Sequence, residues 1–133
     1  IRALNLHSDG TYLVASNGDR HTVTVYRVAD ILTNPTQNVV GRSGINGANG
    51  VYVGDGQLFI ADNGFGRVHV WNDIEDAISG RPADALLGNI SSNTPPQIGI
   101  NKLFLPKFLT YDGKYLWVGE VKFSNRLLRF SRN

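Results

Sequence analysis

Two acid–arginine pairs are the first residues in this chain that could do chemistry. Asp62 is followed by Arg67 across a glycine-rich stretch, and Glu120 is followed by Arg126 at nearly the same spacing. A carboxylate next to a guanidinium could transfer a proton or hold a charged substrate. Because an active site needs its groups once, whereas this pair occurs in two similar segments, we interpret both pairs as structural.

Other catalytic and metal-binding patterns are weak. The three histidines, His7, His21 and His69, lie at unrelated positions and lack the short regular spacing of a histidine metal site. The absence of cysteine excludes disulfides, thiolate ligands and a cysteine nucleophile. No serine lies in a Gly-x-Ser-x-Gly context, and the glycines after position 41 lack the Gly-Lys-Ser/Thr of a phosphate-binding loop. We therefore assign no catalytic residue.

These residues belong to a repeated pattern. Three times an Asp-Gly pair is followed by a short apolar run, a polar turn and a second apolar run; the pairs are Asp9-Gly10, Asp55-Gly56 and Asp112-Gly113. The runs are rich in β-branched and aromatic residues, which predicts strands, and a further strand precedes each pair. In the first two units a polar connection with a predicted helical turn leads to a fourth strand.

Each unit is thus predicted to contain four short antiparallel strands, which we call a, b, c and d. The connections of the first two units align without gaps, for example Pro35 with Pro82 and Gly41 with Gly88. We divide the chain into a first unit at 1–47, a second at 48–102 with a long loop at 89–102, and a third at 103–133 that lacks strand d. Four strands per repeat predict an all-β fold, a β-propeller segment that is incomplete as a single chain. A β-sandwich does not explain the gapless alignment.

Two of the units resemble NHL repeats, the blades of a six-bladed type of β-propeller. The resemblance in the third unit rests on 105–106, 109–113, 116–118 and 125–130, and in the second on 50–53, 58–64 and 67–71. The segment 80–88 resembles a bacterial subset with a long strand c to d connection. The first unit departs from the pattern, since Ser16 stands where the family has Asp, and His21-Thr22 stand for Asn-Arg.

The resemblance also implies roles for the acid–arginine pairs. In such blades the carboxylate accepts hydrogen bonds from turn amides and the arginine spans the same hairpin, so Asp62 and Arg67 are expected to be architectural. Related propellers hold a metal with Glu, Asn and Asp at the channel mouth, where oxygen ligands suit a hard cation. Asn17, Asp62 and Glu120, with Asn63, are the weak candidates here. We expect no cofactor, with calcium or a similar divalent cation as the alternative.

Recognition is predicted at the turns between strands b and c. Arg20, Asn63, Lys122 and Arg126 are the candidate binding residues, because loops on a rigid scaffold can vary without loss of core packing. The formal net charge is only +2, and acidic residues at positions 19, 62 and 120 lie among the basic ones. Nucleic acid is therefore a disfavoured partner.

The sequence predicts a rigid binding or interaction module for a protein or a small ligand. The alternatives are part of a metal-dependent propeller hydrolase or lyase, and an RNA-binding propeller. With 133 residues, no methionine and no strand d in the third unit, the ring is expected to be completed by other copies of the chain or by a remainder of the same polypeptide. No apolar run approaches the roughly 18 residues of a membrane helix. Family resemblance alone favours an extracellular or periplasmic location.

Overall fold

Three antiparallel sheets follow one another along the chain. The computed structural model describes residues 3–18, 20–41, 44–122 and 124–131. Sheet one contains β1 (Ala3–Ser8), β2 (Tyr12–Asn17), β3 (Thr22–Arg27) and β4 (Asn38–Val40). Sheet two contains β5 (Ala48–Gly54), β6 (Gln57–Asp62), β7 (Arg67–Trp71) and β8 (Ala85–Gly88). Sheet three contains β9 (Pro106–Tyr111), β10 (Tyr115–Glu120) and β11 (Leu127–Ser131).

The predicted hairpins are confirmed in all three sheets. Strand b pairs with strand c as β2 with β3, β6 with β7 and β10 with β11. In sheet two the pairing joins Leu58 to Trp71 and Ala61 to Val68, as the repeat pattern predicted. Among the described residues β11 has no partner on its outer side.

The repeated Asp-Gly pairs form two kinds of turn. In sheet two Asp55 and Gly56 have φ values of 51° and 75°, which is the backbone of a tight two-residue hairpin turn. In sheets one and three the turn is longer, and the Oδ1 atoms of Asp9 and Asp112 accept hydrogen bonds from the amides two and three residues further on. Such side-chain bonds stabilise an Asx turn.

The different turn length changes the register of sheet one relative to the sequence alignment. Asn17 lies opposite Thr22, as Asp62 lies opposite Arg67 in sheet two. The prediction that Ser16 occupies the position of the acid is therefore wrong, because the longer Asp9 turn shifts strand b by one residue. Asn17 takes that position.

The connection after β7 carries the one α-helix of the described residues, α1 (Ile74–Ile78). The predicted helical turn is thus present, and the Asp73 side chain caps it by accepting a hydrogen bond from the Glu75 amide at 2.9 Å. Gly80, with φ of 90°, follows the helix end. The corresponding connection of sheet one contains a 3-10 turn at Val28–Asp30. The described chain contains no helix long and apolar enough to cross a membrane.

Both faces of sheet two are buried, because it lies between the other two sheets. We call the two contact regions seam one–two and seam two–three. Ile60 of β6 packs in seam one–two, and its neighbour Phe59 packs in seam two–three. Successive strand residues point to opposite faces, so all six residues of β6 are buried. Burial of each such aliphatic side chain stabilises the folded state by about 1.5–3 kcal/mol. The chain is a segment of a β-propeller, with β1, β5 and β9 packed beside one another.

Candidate functional site: the turn face

The b–c turns and the loops between sheets meet at one end of the molecule, which we call the turn face. The Asn63 amide donates to the Gly47 carbonyl at 2.8 Å, and the Asn89 amide donates to the Gly66 carbonyl at 3.1 Å. Gly64 lies so close to the Asn46 carbonyl that a Cβ atom at this position would clash with it. At the b–c turn of sheet two, turn and loop are therefore packed backbone against backbone.

Asp62 is the centre of this packing in sheet two. Its side chain is fully buried, and Oδ1 accepts hydrogen bonds from the amides of Asn46 (3.1 Å) and Phe65 (3.3 Å). The predicted contact between the carboxylate and turn amides is thus present. Oδ2 lies 2.9 Å from His69 Nε2 and 3.7 Å from Arg67 Nε. The carboxylate therefore orders the turn, the preceding loop and strand β7 together.

Arg67 connects three segments, not its own hairpin alone. Its Nη2 donates to the Gly44 carbonyl at 2.7 Å and to Ser92 Oγ at 3.2 Å, and its guanidinium lies 4.6 Å from the centre of the Phe65 ring. The expected span of its own hairpin is present, since the guanidinium lies beside Asp62 and Phe65. The arginine also ties this hairpin to the loops before and after the sheet. Its Nε is buried and has no hydrogen-bond partner among the described residues.

Glu120 and Arg126 repeat this arrangement in sheet three. Arg126 Nη2 contacts both oxygens of Glu120, at 2.9 Å for Oε2, and Nε lies 3.3 Å from Oε2. The guanidinium also donates to the carbonyls of Gly99 (2.7 Å) and Lys102 (3.1 Å) in the loop before β9. We call each of these arrangements an acid–arginine link. Its recurrence in two sheets agrees with a structural role.

The four predicted binding residues lie on the turn face and differ in exposure and in their contacts. Arg20 and Lys122 are exposed and make no ion pair with any described residue, whereas Asn63 is half-buried. Arg126, with a side chain 27% exposed, is held in its link. Asp19, the acidic neighbour of Arg20, lies outside the described residues.

The three metal candidates, Asn17, Asp62 and Glu120, lie one in each sheet, at the last position of strand b. Asp62 and Glu120 are engaged in their links, and the buried Oδ1 of Asn17 has no partner among the described residues. Within the described ranges no three His, Cys, Asp or Glu side chains are grouped in a way that could hold a metal ion.

Sequence reasoning missed the role of His69. Ile60 pairs with His69 and Asp62 pairs with Arg67, so His69 and Asp62 lie on the same face of adjacent strands. The predicted pairing of strands b and c could have indicated this contact, since residues two apart on one strand share a face.

Polar contacts from sheet one to β5 and α1 were also missed, and the three titratable groups that make them have shifted pKa values. Tyr12 Oη donates to Glu75 Oε1 at 2.6 Å, which raises the pKa of Tyr12 to about 12 and lowers the pKa of Glu75. His7 Nδ1 accepts from the Val53 amide at 3.0 Å. Burial lowers the pKa of His7, although the charge of Asp9 acts in the opposite direction.

Comparison with known proteins supports the fold. No protein-family model matches the chain, and no curated protein matches it. Among solved structures, the chain is similar to the glutaminyl cyclase of Myxococcus xanthus, with a TM-score of 0.58 and 14% sequence identity over 96% of this chain and 47% of that one. The chain thus spans about half the length of this neighbour. At so low an identity, the similarity shows a β-propeller-type fold and nothing about activity.

Proposed function

We propose that this propeller segment, built from NHL-type blades, is a rigid binding module that recognises a protein or a small ligand through its turn face. The observation that carries the proposal is the recurrence of the acid–arginine link. Each link fixes a b–c turn to the loop that leads into the same sheet, so Asn63 in sheet two and Lys122 in sheet three are presented from an anchored turn. Pre-ordered loops lose less conformational entropy when they bind.

The chemistry of the exposed side chains favours an acidic partner. Arg20 and Lys122 present two cations on the turn face, and Asn63 lies at the b–c turn of the sheet between them. Buried carboxylates Asp62 and Glu120 are occupied by internal donors, so they do not compete for these two cations through direct contact. In this proposal Arg126 has a positioning role, because it holds the turn that carries Lys122.

Binding of a fluorescein-labelled hexaglutamate peptide, followed by fluorescence anisotropy, tests the proposal. We expect Arg20→Ala and Lys122→Ala each to weaken binding several-fold at an unchanged melting temperature. Lys114→Ala is the matched control, because Lys114 is an exposed lysine at an a–b turn. Equal losses in all three variants, or no binding of the peptide by the unsubstituted chain, would overturn the proposal.

An enzyme is the competing proposal, supported by the fact that the structural neighbour is one. A metal-dependent hydrolase or lyase would retain a divalent cation through purification, which elemental analysis detects. It would also lose turnover or metal in Asp62→Ala with stability intact. An RNA-binding propeller would instead prefer a labelled uridine hexamer over hexaglutamate, with affinity that falls steeply as salt rises.

A further inference from the structure

The outer part of seam one–two contains a cavity of about 470 Å³. Its walls come from β4, from Gly41, Gly44 and Ile45 after it, from β7 and from the turn after α1. Known small-molecule sites have volumes of roughly 300–1,000 Å³, so the cavity is large enough for a small organic ligand. It lies on the flank between two sheets and is a separate feature from the turn face proposed above.

A buried guanidinium supplies the polar end of this cavity. Arg67 lines it and is 4% exposed, and its Nε has no hydrogen-bond partner among the described residues. The reason is local: Asp62 Oδ2 is 2.9 Å from His69 Nε2, which leaves Arg67 Nε at 3.7 Å from the same oxygen. Nε itself is enclosed, so a ligand would meet Arg67 through the part of its side chain that lines the cavity.

Sheet three shows that the unpaired donor is not a requirement of the fold. At the equivalent register positions it carries Arg126, Leu128 and Phe130 in place of Arg67, His69 and Trp71. Glu120 is one methylene longer than Asp62 and has no histidine to share, so Arg126 Nε lies 3.3 Å from Oε2. Arg67 Nε lacks the corresponding hydrogen bond because the acid of sheet two is shorter and is shared with a histidine.

The other walls of the cavity are apolar and partly aromatic. The ring of Trp71 lies nearly parallel to that of His69, with an interplanar angle of 16°, and its Nε1 is occupied by the Arg81 carbonyl at 2.9 Å. The ring therefore offers its carbon surface to the cavity. The aliphatic side chains that line the remaining wall are Val39, Val40, Ile45, Ala83 and Leu86.

We propose that this cavity binds a small carboxylate with an apolar or aromatic body. The carboxylate accepts a hydrogen bond from Arg67, and the body packs against Trp71 and the aliphatic wall. The hydrogen bonds of Asp62 go to His69 and to the amides of Asn46 and Phe65, so among the described residues the acid takes none from the guanidinium. A charge-assisted bond to carboxylate is the contact for which the arginine fork is suited.

Tryptophan fluorescence tests this proposal directly. The chain has two tryptophans, so Trp117→Phe leaves Trp71 as the reporter inside the cavity. Phenylacetate is the probe, and its uncharged analogue phenylacetamide is the control. We expect a saturable change with phenylacetate and at least tenfold weaker binding of phenylacetamide. Calorimetric titration of the unsubstituted chain repeats the comparison without a tryptophan substitution.

Two alanines provide a matched pair of variants. Ala83 lines this cavity, whereas Ala85 lines a second cavity between sheets two and three. Ala83→Phe fills the first cavity and is expected to abolish phenylacetate binding, while Ala85→Phe leaves it unchanged. The proposal is overturned by equal affinity for both probes, by binding that persists in Ala83→Phe, or by no saturable response. Arg20→Ala should leave phenylacetate binding unchanged, which separates this site from the turn face.

Discussion

The two seams of this molecule join similar sheets with different chemistry. Seam one–two has a core of fully buried aliphatic side chains such as Val14, Val25 and Ile60, and polar bonds from His7 and Tyr12 cross it. Seam two–three is rich in aromatic rings: the buried ring of Phe59 and the partly buried rings of Tyr52 and Tyr111 lie within 6.5 Å of one another, centre to centre. The same repeat geometry is therefore compatible with an aliphatic or an aromatic contact between neighbouring sheets.

The acid–arginine links differ in a parallel way. In sheet two Asp62 binds three donors and leaves Arg67 Nε without a hydrogen bond, whereas in sheet three Glu120 contacts its arginine through two nitrogens. The comparison indicates that sheet two keeps a buried, less completely paired charge, and sheet three a more exposed and better paired one. Four predictions test these comparisons of seams, links and turn face, from the largest expected effect on stability to the smallest.

Removing the acid of the link should lower the free energy of unfolding more in sheet two than in sheet three. Asp62→Ala leaves the charge of Arg67, which is 4% exposed, without its counter-ion, and we expect a loss of about 3–5 kcal/mol in the free energy of unfolding. Glu120→Ala should cost about 1–3 kcal/mol, since the Arg126 side chain is 27% exposed and can reach water. Urea denaturation measures both. Equal losses would contradict the comparison of the links.

The polar bond between Tyr12 and Glu75 should make a smaller contribution. Tyr12→Phe is expected to cost about 0.5–1 kcal/mol, because both groups are solvent-exposed, with Tyr26→Phe on the neighbouring strand as the control. The pKa of Tyr12 is raised from 10.0 to about 12, so the stabilisation is complete below pH 10 and is lost as pH rises toward 12. Ultraviolet titration should show the late ionisation of Tyr12, and Glu75→Gln should shift that ionisation to lower pH.

The His7 contact should make seam one–two sensitive to mild acid. The pKa of His7 is lowered from 6.5, so the unfolded chain takes up a proton first, and stability falls as pH decreases below about 6.5. Protonation of Nδ1 also breaks the bond from the Val53 amide. His7→Phe keeps a ring against Tyr52 and removes the titration, so its urea midpoint should change less between pH 7 and pH 5. An identical change in both proteins would refute the assignment.

The smallest effects on stability are expected at the exposed cations of the turn face. Arg20 and Lys122 lie outside both seams and both links. Alanine at either position should change the free energy of unfolding by no more than about 0.5 kcal/mol, since exposed side chains away from special contacts contribute little. Thermal unfolding checks this. A loss above 1 kcal/mol would mean that these side chains support the structure rather than serve recognition.

The sequence by itself determined the strands, the hairpins and the repeat. Alternating apolar runs and Asp-Gly turns are local signals, because strand formation and turn type depend on residues close in the chain. The Asp73 cap and the contact of Asp62 with its turn amide also follow from neighbours within a few positions.

Only the tertiary structure decided which side chains meet across turns and seams. The register of sheet one depends on the length of the Asp9 turn, which moved Asn17 into the position assigned to Ser16. The bonds of Arg67 to Gly44 and of His7 to Val53 join residues far apart in sequence, and no local pattern encodes such pairs. The shared carboxylate of Asp62 and the Arg67 Nε that lacks a hydrogen bond arise because packing brings His69 and Arg67 to the same oxygen.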